Sequence, residues 1–273
     1  MATTSTSERR LAVITGASEG IGRDLAACYA IAGFDLVLVA RREELLRSLA
    51  TELTATCGVR CLVLPADLSS AAGCDGVIAA VAPERGRLFA LVNNAGLGTH
   101  GWFHEIPMDQ QRLLIDVNVT ALTHLTRGML PWLRGNGAGH VMNVGSVASF
   151  QPGPLMATYY ASKAYVLSFS EALHNECRGS GVTVTAVCPG PTRTGFARVA
   201  GISPKARAGG APPMDSREVA DLAFRGTMAG KPVILTGFRN QVAAMIGRYL
   251  PRSVSAELVR KIQMARLLAK GKD

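Results

Sequence analysis

Residues 10–22 read "RLAVITGASEGIG". A short apolar run from Leu11 to Ile14 meets a glycine loop, and a segment of helical period starts directly behind it. Gly16, Gly20 and Gly22 permit a tight turn, close approach of the backbone to a ligand, and close packing of helix on strand. Free N–H groups at the start of that helix, reinforced by its dipole, would hold a pyrophosphate. A glycine loop alone is a weak signal, but here a strand precedes it and a helix follows, as a dinucleotide site requires. The spacing is T-G-x-x-x-G-x-G rather than the commoner G-x-G-x-x-G.

The same alternation continues outward. Strands are predicted at 10–15, 34–40, 59–66, 88–95, 140–146, 182–189 and 232–236, most of them near-continuous in Val, Leu and Ile. Such runs suit strands covered on both faces, as in a parallel sheet. Helical stretches fall between them at 20–32, 42–56, 70–82, 109–134, 158–179 and 216–229. The expected architecture is α/β, a doubly wound and mainly parallel seven-stranded Rossmann-type sheet with helices on both faces. With neither linker nor repeat inside it, the chain is read as one domain over 1–273. A Gly-, Pro- and Arg-rich loop at 191–215 is expected to bind or cover substrate. A basic amphipathic extension at 238–273 is expected as one or two helices, interrupted at Pro251.

Composition narrows the function classes. Apolar residues make up 48% of the 273 and charged residues 18%, enough for a sizeable core and too few charges for wholesale disorder. No apolar run approaches the roughly eighteen residues of a membrane span, and "MATTSTSERR" carries no signal-peptide core, so a cytoplasmic location is expected. The six cysteines form no C-x-x-C pair, and the five histidines hold a single H-x-x-x-H spacing, His100 and His104, so reduced thiols and no metal are expected. The net charge is +9, and from Lys231 onward nine Lys/Arg face two acids. No recognition motif or aromatic-basic interleaving accompanies that charge, which argues against nucleic acid.

The second strand ends at Ala40, where many dinucleotide sites place an acid for the ribose hydroxyls, and Arg41 and Arg42 follow. Without a carboxylate to repel it, a 2′-phosphate could sit beside a guanidinium, so NADP(H) is preferred and NAD(H) is the second choice. The competing reading is a pair of solvated arginines at a helix start.

Four motifs occur in order: the glycine loop, "NNAG" at 93–96, S-x12-Y-x3-K, and PG-x3-T beginning at Pro189. Together, over residues 9–237, they resemble the short-chain dehydrogenase/reductase family. That resemblance implies an NAD(P)-dependent oxidoreductase that transfers a hydride between nicotinamide and a carbonyl or alcohol. By the same resemblance Ser18 contacts the 2′-phosphate, and Glu19 stands where some members have a base, which weakens that preference. Gly16, Gly20, Ile21 and Gly22 would line the pyrophosphate. Asp67, with Leu68, would meet the adenine, although Asp67 equally suits a cap for the helix starting near Ser69. Asn94, Ala95 and Gly96 would lie beside the adenosine ribose. Pro189, Gly190, Thr192 and Thr194 would hold the carboxamide.

"ATYYASKAY" (157–165) carries the proton chemistry. A free phenol titrates near pH 10, so it needs tuning to exchange protons, and a nearby ammonium favours phenolate. Tyr159 and Tyr160 precede Lys163 by four and three residues, so helical spacing leaves both eligible. The family's Y-x-x-x-K selects Tyr159 as acid/base, with Lys163 as its tuner and a ribose ligand. Its serine, thirteen residues earlier, is Ser146; the same count from Tyr160 reaches Val147, which has no hydroxyl. Asn118 matches the asparagine that distorts the family's helix and holds a relay water. Gly145 replaces a serine found in many members, with little consequence expected.

Leu97–Phe103, Phe150–Met156 and Phe196–Met214 are the candidate substrate walls. Trp102, Phe103, Phe150, Leu155, Met156 and Phe196 among them suit an apolar or acyl-type carbonyl. In the tail, Val242, Met245, Ile246 and Leu250 form one apolar face, and Val254, Leu258, Ile262 and Leu268 form another. These faces are expected to pack on the body or on a second subunit; the alternative is peripheral contact with an anionic membrane. A homodimer or homotetramer through helices 109–134 and 158–179 follows from the resemblance. Two rival functions are a catalytically weak NADP(H)-binding regulatory protein of the same fold and a sugar-nucleotide epimerase. Intact Tyr159 and Lys163 argue against the first, and the short chain with its glycine spacing against the second.

Overall fold

The structure is a computed structural model that describes residues 9–202 and 212–270. Residues 203–211, inside the predicted substrate loop, lie outside the described residues, as do 1–8 and 271–273.

Seven parallel strands form one sheet: β1 (Leu11–Thr15), β2 (Asp35–Ala40), β3 (Cys61–Pro65), β4 (Leu88–Asn93), β5 (Gly139–Val144), β6 (Val182–Cys188) and β7 (Val233–Leu235). Their order is β3-β2-β1-β4-β5-β6-β7. Every residue of β1 is buried, because alternate side chains enter different cores. Ile14 packs with Leu25, Leu36 and Leu38 on one face, and Val13 packs with Val37, Val39 and Leu91 on the other. The edge strand β3 is the exception to coverage on both faces, with Leu62 46% exposed.

Helices α1 (Gly20–Ile31), α2 (Glu43–Cys57) and α3 (Ala71–Val81) begin within two residues of their predicted starts. The expected single helix at 109–134 is instead three segments: α4 (Met108–Ile115), a π-helical stretch at Asp116–Ala121, and α5 (Leu122–Gly135). A π turn inserts one extra residue, and here it coincides with the buried Asn118. Helix α6 (Ala157–Glu176) carries the tyrosines, α7 (Phe196–Val199) is one short turn in the loop after β6, and α8 (Ser216–Met228) precedes β7. The extension forms α9 (Phe238–Tyr249) and α10 (Arg252–Lys270), separated at Pro251 as predicted.

After β1 the chain builds β2 and β3 to one side, then returns through β4 to the other. Beyond the carboxyl ends of β1 and β4 the connections diverge, and the crevice between them is where open α/β sheets bind ligands.

Candidate active site

The cavity at that crevice has a volume of about 1100 Å³ and runs from the glycine loop past Arg41 and Arg42 to Tyr159. Every predicted cofactor residue from Gly16 to Thr194 lines it, as do Ser146, Tyr159 and Lys163.

The glycine loop is built closely enough to exclude side chains. Gly16 and Gly20 have φ of 65° and 58°, the left-handed region that glycine tolerates. A Cβ on Gly22 would lie 2.2 Å from the Gly16 carbonyl oxygen. Asn94 braces the turn: its Nδ2 donates to the carbonyls of Thr15 at 2.9 Å and Gly16 at 3.2 Å. Helix α1 has Glu19 at its N-cap with no side-chain bond to the first turn. The first-turn N–H groups are thereby left to a ligand. These features fit a dinucleotide's pyrophosphate.

At the end of β2, Arg42 donates to Ser18 Oγ at 3.1 Å and pairs with Glu19 at 3.0 Å. Glu19 also faces Arg198 of α7 at 3.9 Å. The guanidinium of Arg42 is therefore held over the loop, not dispersed in solvent. Asp67 Oδ1 accepts from both the backbone N and Oγ of Ser69, at 3.0 and 2.9 Å. Those bonds hold its carboxyl below the usual range. The expected capping role falls to Ser70, whose hydroxyl accepts from Gly73 N at 3.1 Å, because α3 starts later than predicted.

The two tyrosines, equivalent by helical spacing, diverge in space. Tyr159 is buried and lines the cavity beside Ser146, whose hydroxyl acts to lower the phenol's pKa. Tyr160 turns toward α10, where its hydroxyl accepts from Gln263 Nε2 at 3.2 Å. The third, Tyr165, is partly exposed and stacks on Phe169. Ser146 is doubly constrained: its Oγ accepts from Ala148 N at 3.1 Å, capping the short 3₁₀ turn Val147–Phe150, and donates to Pro189 O at 3.5 Å. Gly145 has little room for a side chain, since a Cβ there would lie 3.2 Å from Cys188 Sγ.

Lys163 is 5% exposed, and its Nζ donates to Val144 O at 2.7 Å, 5.9 Å from the Tyr159 ring centroid. The electrostatics depart from the expectation that this ammonium lowers the phenol's pKa. Burial pushes Tyr159 up to about 12, and the opposing influence is hydrogen bonding with Ser146. Burial likewise brings Lys163 down to about 8.

Asn118 does not line the cavity. Its Oδ1 accepts from Leu97 N at 2.8 Å, and its Nδ2 donates to Leu97 O at 2.9 Å and Ser162 Oγ at 3.0 Å. The side chain thus clamps the β4–α4 loop to α6. Thr192 Oγ1 donates to Gly190 O at 2.9 Å, and Thr194 Oγ1 accepts from Phe196 N at 3.2 Å.

The substrate walls are only partly those expected. Leu97, Met156, Phe196 and Ile202 line the cavity, whereas Trp102, Phe103, Phe150 and Leu155 do not. Phe103 is 63% exposed, while Leu155 is buried beneath the wall. Asn240 of α9 and Val259, Ile262, Gln263 and Arg266 of α10 complete the lining. Helix α10 buries Ser255, Val259 and Gln263, a stripe of every fourth residue. The predicted apolar stripe points elsewhere: Val254, Leu258 and Leu268 are at least half exposed, and Ile262 alone reaches the cavity. Hydropathy did not mark the packing face because two of its three members are polar.

Comparison with known proteins agrees with this arrangement. The family described as short chain dehydrogenase matches residues 10–203. Sulfoacetaldehyde reductase 2 of Chromohalobacter salexigens is 36% identical over 220 residues, which cover 78% of this chain and 86% of that protein. Among solved structures, a short-chain dehydrogenase from Sphingobium yanoikuyae in complex with NADPH has 36% identity and a TM-score of 0.77, covering 87% of this chain and 92% of that one. One from Burkholderia phymatum in complex with NAD has 29% identity and a TM-score of 0.78, covering 88% and 92%. The glycine cradle, the Ser-Tyr-Lys cluster behind it and this span of similarity have one common explanation: the chain is an oxidoreductase of the short-chain dehydrogenase family.

Proposed function

We propose that this enzyme reduces ketones, aldehydes or acyl-type carbonyls, with NADPH preferred and NADH a weaker substitute, and runs the reverse oxidation when product and oxidised cofactor accumulate. The observation that carries this reading is the buried Tyr159, which lines the cavity together with Ser146 and Lys163 where its glycine-lined and apolar parts meet. A reduced nicotinamide held there supplies a hydride. Tyr159, protonated throughout the neutral range, gives its proton to the carbonyl oxygen, and the Ser146 hydroxyl orients that oxygen. Lys163 keeps a cation behind the phenol and offers its remaining donors to a ribose. Asn118 and Asn94 act at one remove, by positioning loops. Met156, Phe196, Ile202 and Ile262 exclude water from the apolar end. NADPH oxidation against a panel of ketones, aldehydes and acyl thioesters, repeated with NADH, tests the reading; no turnover with any member would defeat it. Retention of Tyr159, Ser146 and Lys163 in one cluster speaks against a purely regulatory protein.

The cofactor preference rests on Arg42, Arg41 and Ser18 beside the acid-free end of β2. Arg42→Ala is expected to raise the KM for NADPH about tenfold, the worth of one charge-assisted contact, and to leave the KM for NADH nearly unchanged. Equal losses for both cofactors would count against a 2′-phosphate site. Glu19 is an acid beside that phosphate position, so the preference is moderate.

Among the described residues no helix is long and apolar enough to cross a membrane. Helix α9 nonetheless exposes Phe238, Val242, Met245, Ile246 and Tyr249 on one face, flanked by the exposed Arg239 and Arg248. We assign that face to peripheral contact with an anionic lipid surface. Wild-type protein should float with anionic liposomes and the double variant Met245→Asp/Ile246→Asp should not; equal flotation would refute the contact. Because α10 lines the cavity, truncating the tail would confound the comparison. Homodimers or homotetramers through α4–α5 and α6 complete the proposal, with solution mass from light scattering as the check.

A further inference from the structure

Helix α10 brings a cation into the apolar end of the cavity. Arg266 lines it one turn beyond Ile262, and its Nη1 donates to Gln263 Oε1 at 3.2 Å. Gln263 is 2% exposed and donates in turn to Tyr160, whose ring meets the Tyr159 ring edge-on at 6.0 Å between centroids. A polar wall therefore leads from the proton donor to a guanidinium. The Nε of Arg266 is shielded from solvent and lacks a hydrogen-bond partner, and among the described residues no carboxylate pairs with this arginine. Most other arginines in cavity reach are ion-paired: Arg42 and Arg198 with Glu19, and Arg193 with Asp215. A half-buried cation without a counter-ion is costly, and a guanidinium at a cavity wall is the group whose N–H donors fit oxyanions.

We infer that Arg266 binds an oxyanion at the far end of the carbonyl substrate, making the preferred substrates carbonyl compounds with an apolar body and one carboxylate, sulfonate or phosphate-type group. This rests on the carbonyl-reductase reading above and adds a specificity-determining residue to it. Gln263 is a positioning residue, holding one guanidinium nitrogen at the cavity wall.

The experiment compares aldehydes of one chain length ending in carboxylate, sulfonate, phosphonate or neutral amide, with wild type, Arg266→Gln and Arg266→Lys. Wild type is expected to favour at least one anionic member over the amide by about 10-fold to 100-fold in kcat/KM, the range for one hydrogen-bonded charge pair. Arg266→Gln should remove that advantage through KM while the amide's kcat/KM moves less than about threefold, and Arg266→Lys should restore part of it. In parallel, the saturated carboxylate, sulfonate and phosphonate are titrated into the NADP⁺-loaded protein by calorimetry. Saturable binding lost in Arg266→Gln supports the anion site even when no aldehyde is reduced, an outcome that sinks the reductase reading alone. Reduction of the amide as well as or better than all three anions, with no anion bound, overturns the anion site alone. Equal losses for charged and neutral substrates in Arg266→Gln also overturn it. Should Arg266→Gln fail to fold, the wild-type comparison of charged and neutral members decides the matter.

Discussion

Tyr159→Phe is expected to lower kcat/KM for carbonyl reduction by about 10³-fold, in the middle of the range for loss of a general acid. Phenylalanine keeps the ring and its contact with Phe196, at 5.3 Å between centroids, so packing is preserved and the missing group is the proton donor. Burial has already raised this phenol to about 12, so at neutral pH it is a reservoir of a proton, not a phenolate waiting for one. Tyr160→Phe has a different signature. It deletes the acceptor for Gln263 and loosens the wall between Tyr159 and α10, which should raise KM more than it lowers kcat. Steady-state kinetics of both variants on the best substrate separate the two tyrosines. Activity that survives at 159 and disappears at 160 would reverse the assignment.

Gly22→Ala is expected to weaken NADPH binding by at least about tenfold and to lower the melting temperature. The added methyl would stand 2.2 Å from Gly16 O and 2.3 Å from Asn94 Nδ2, and the first of these is backbone. Relief requires α1 to move off β1 or the loop to open, and overpacking of this kind typically costs about 1–3 kcal/mol. Either movement displaces the first-turn N–H groups from the pyrophosphate and disturbs the Asn94 brace. Gly76→Ala is the control: nothing lies within 4 Å of its Cβ position, and alanine suits the interior of α3 better. That variant should bind NADPH normally and melt slightly higher. Fluorescence titration with NADPH, with thermal melting of both variants, checks the pair. Unimpaired binding in Gly22→Ala would mean that the loop is not a close-fitting cradle.

Much of the proposed reaction centre was readable from the sequence. The glycines of 16–22, the spacing from Ser146 to Tyr159 and Lys163, and the acid-free end of β2 each lie within one strand-loop-helix unit or along one helix. There a count of residues already implies proximity. Helical spacing still left Tyr159 and Tyr160 tied, because both reach Lys163; resemblance chose one, and in space the hydrogen bond from Gln263 turns Tyr160 toward α10. The net direction of the Tyr159 shift was hidden for a related reason. Proximity of an ammonium is visible along a helix, but the depth of burial that raises the phenol belongs to the assembled core. Asn118 was legible as a site of helix distortion, whereas its clamp on Leu97 depends on how α4, α5 and α6 meet.

The tail marks the division most sharply. Alternating apolar runs, glycine punctuation and basic charge were enough to specify a parallel sheet, a dinucleotide loop and two C-terminal helices, since those follow from local periodicity and steric freedom. Which side of α10 turns inward depended on what it had to cover. A cavity already containing Tyr160 and Gln151 took Ser255 and Gln263, with Val259 between them, and left Val254, Leu258 and Leu268 outside. Hydrogen-bond satisfaction across the cavity outweighed hydropathy along the helix, and it is that choice which delivers Arg266 to the substrate end of the site.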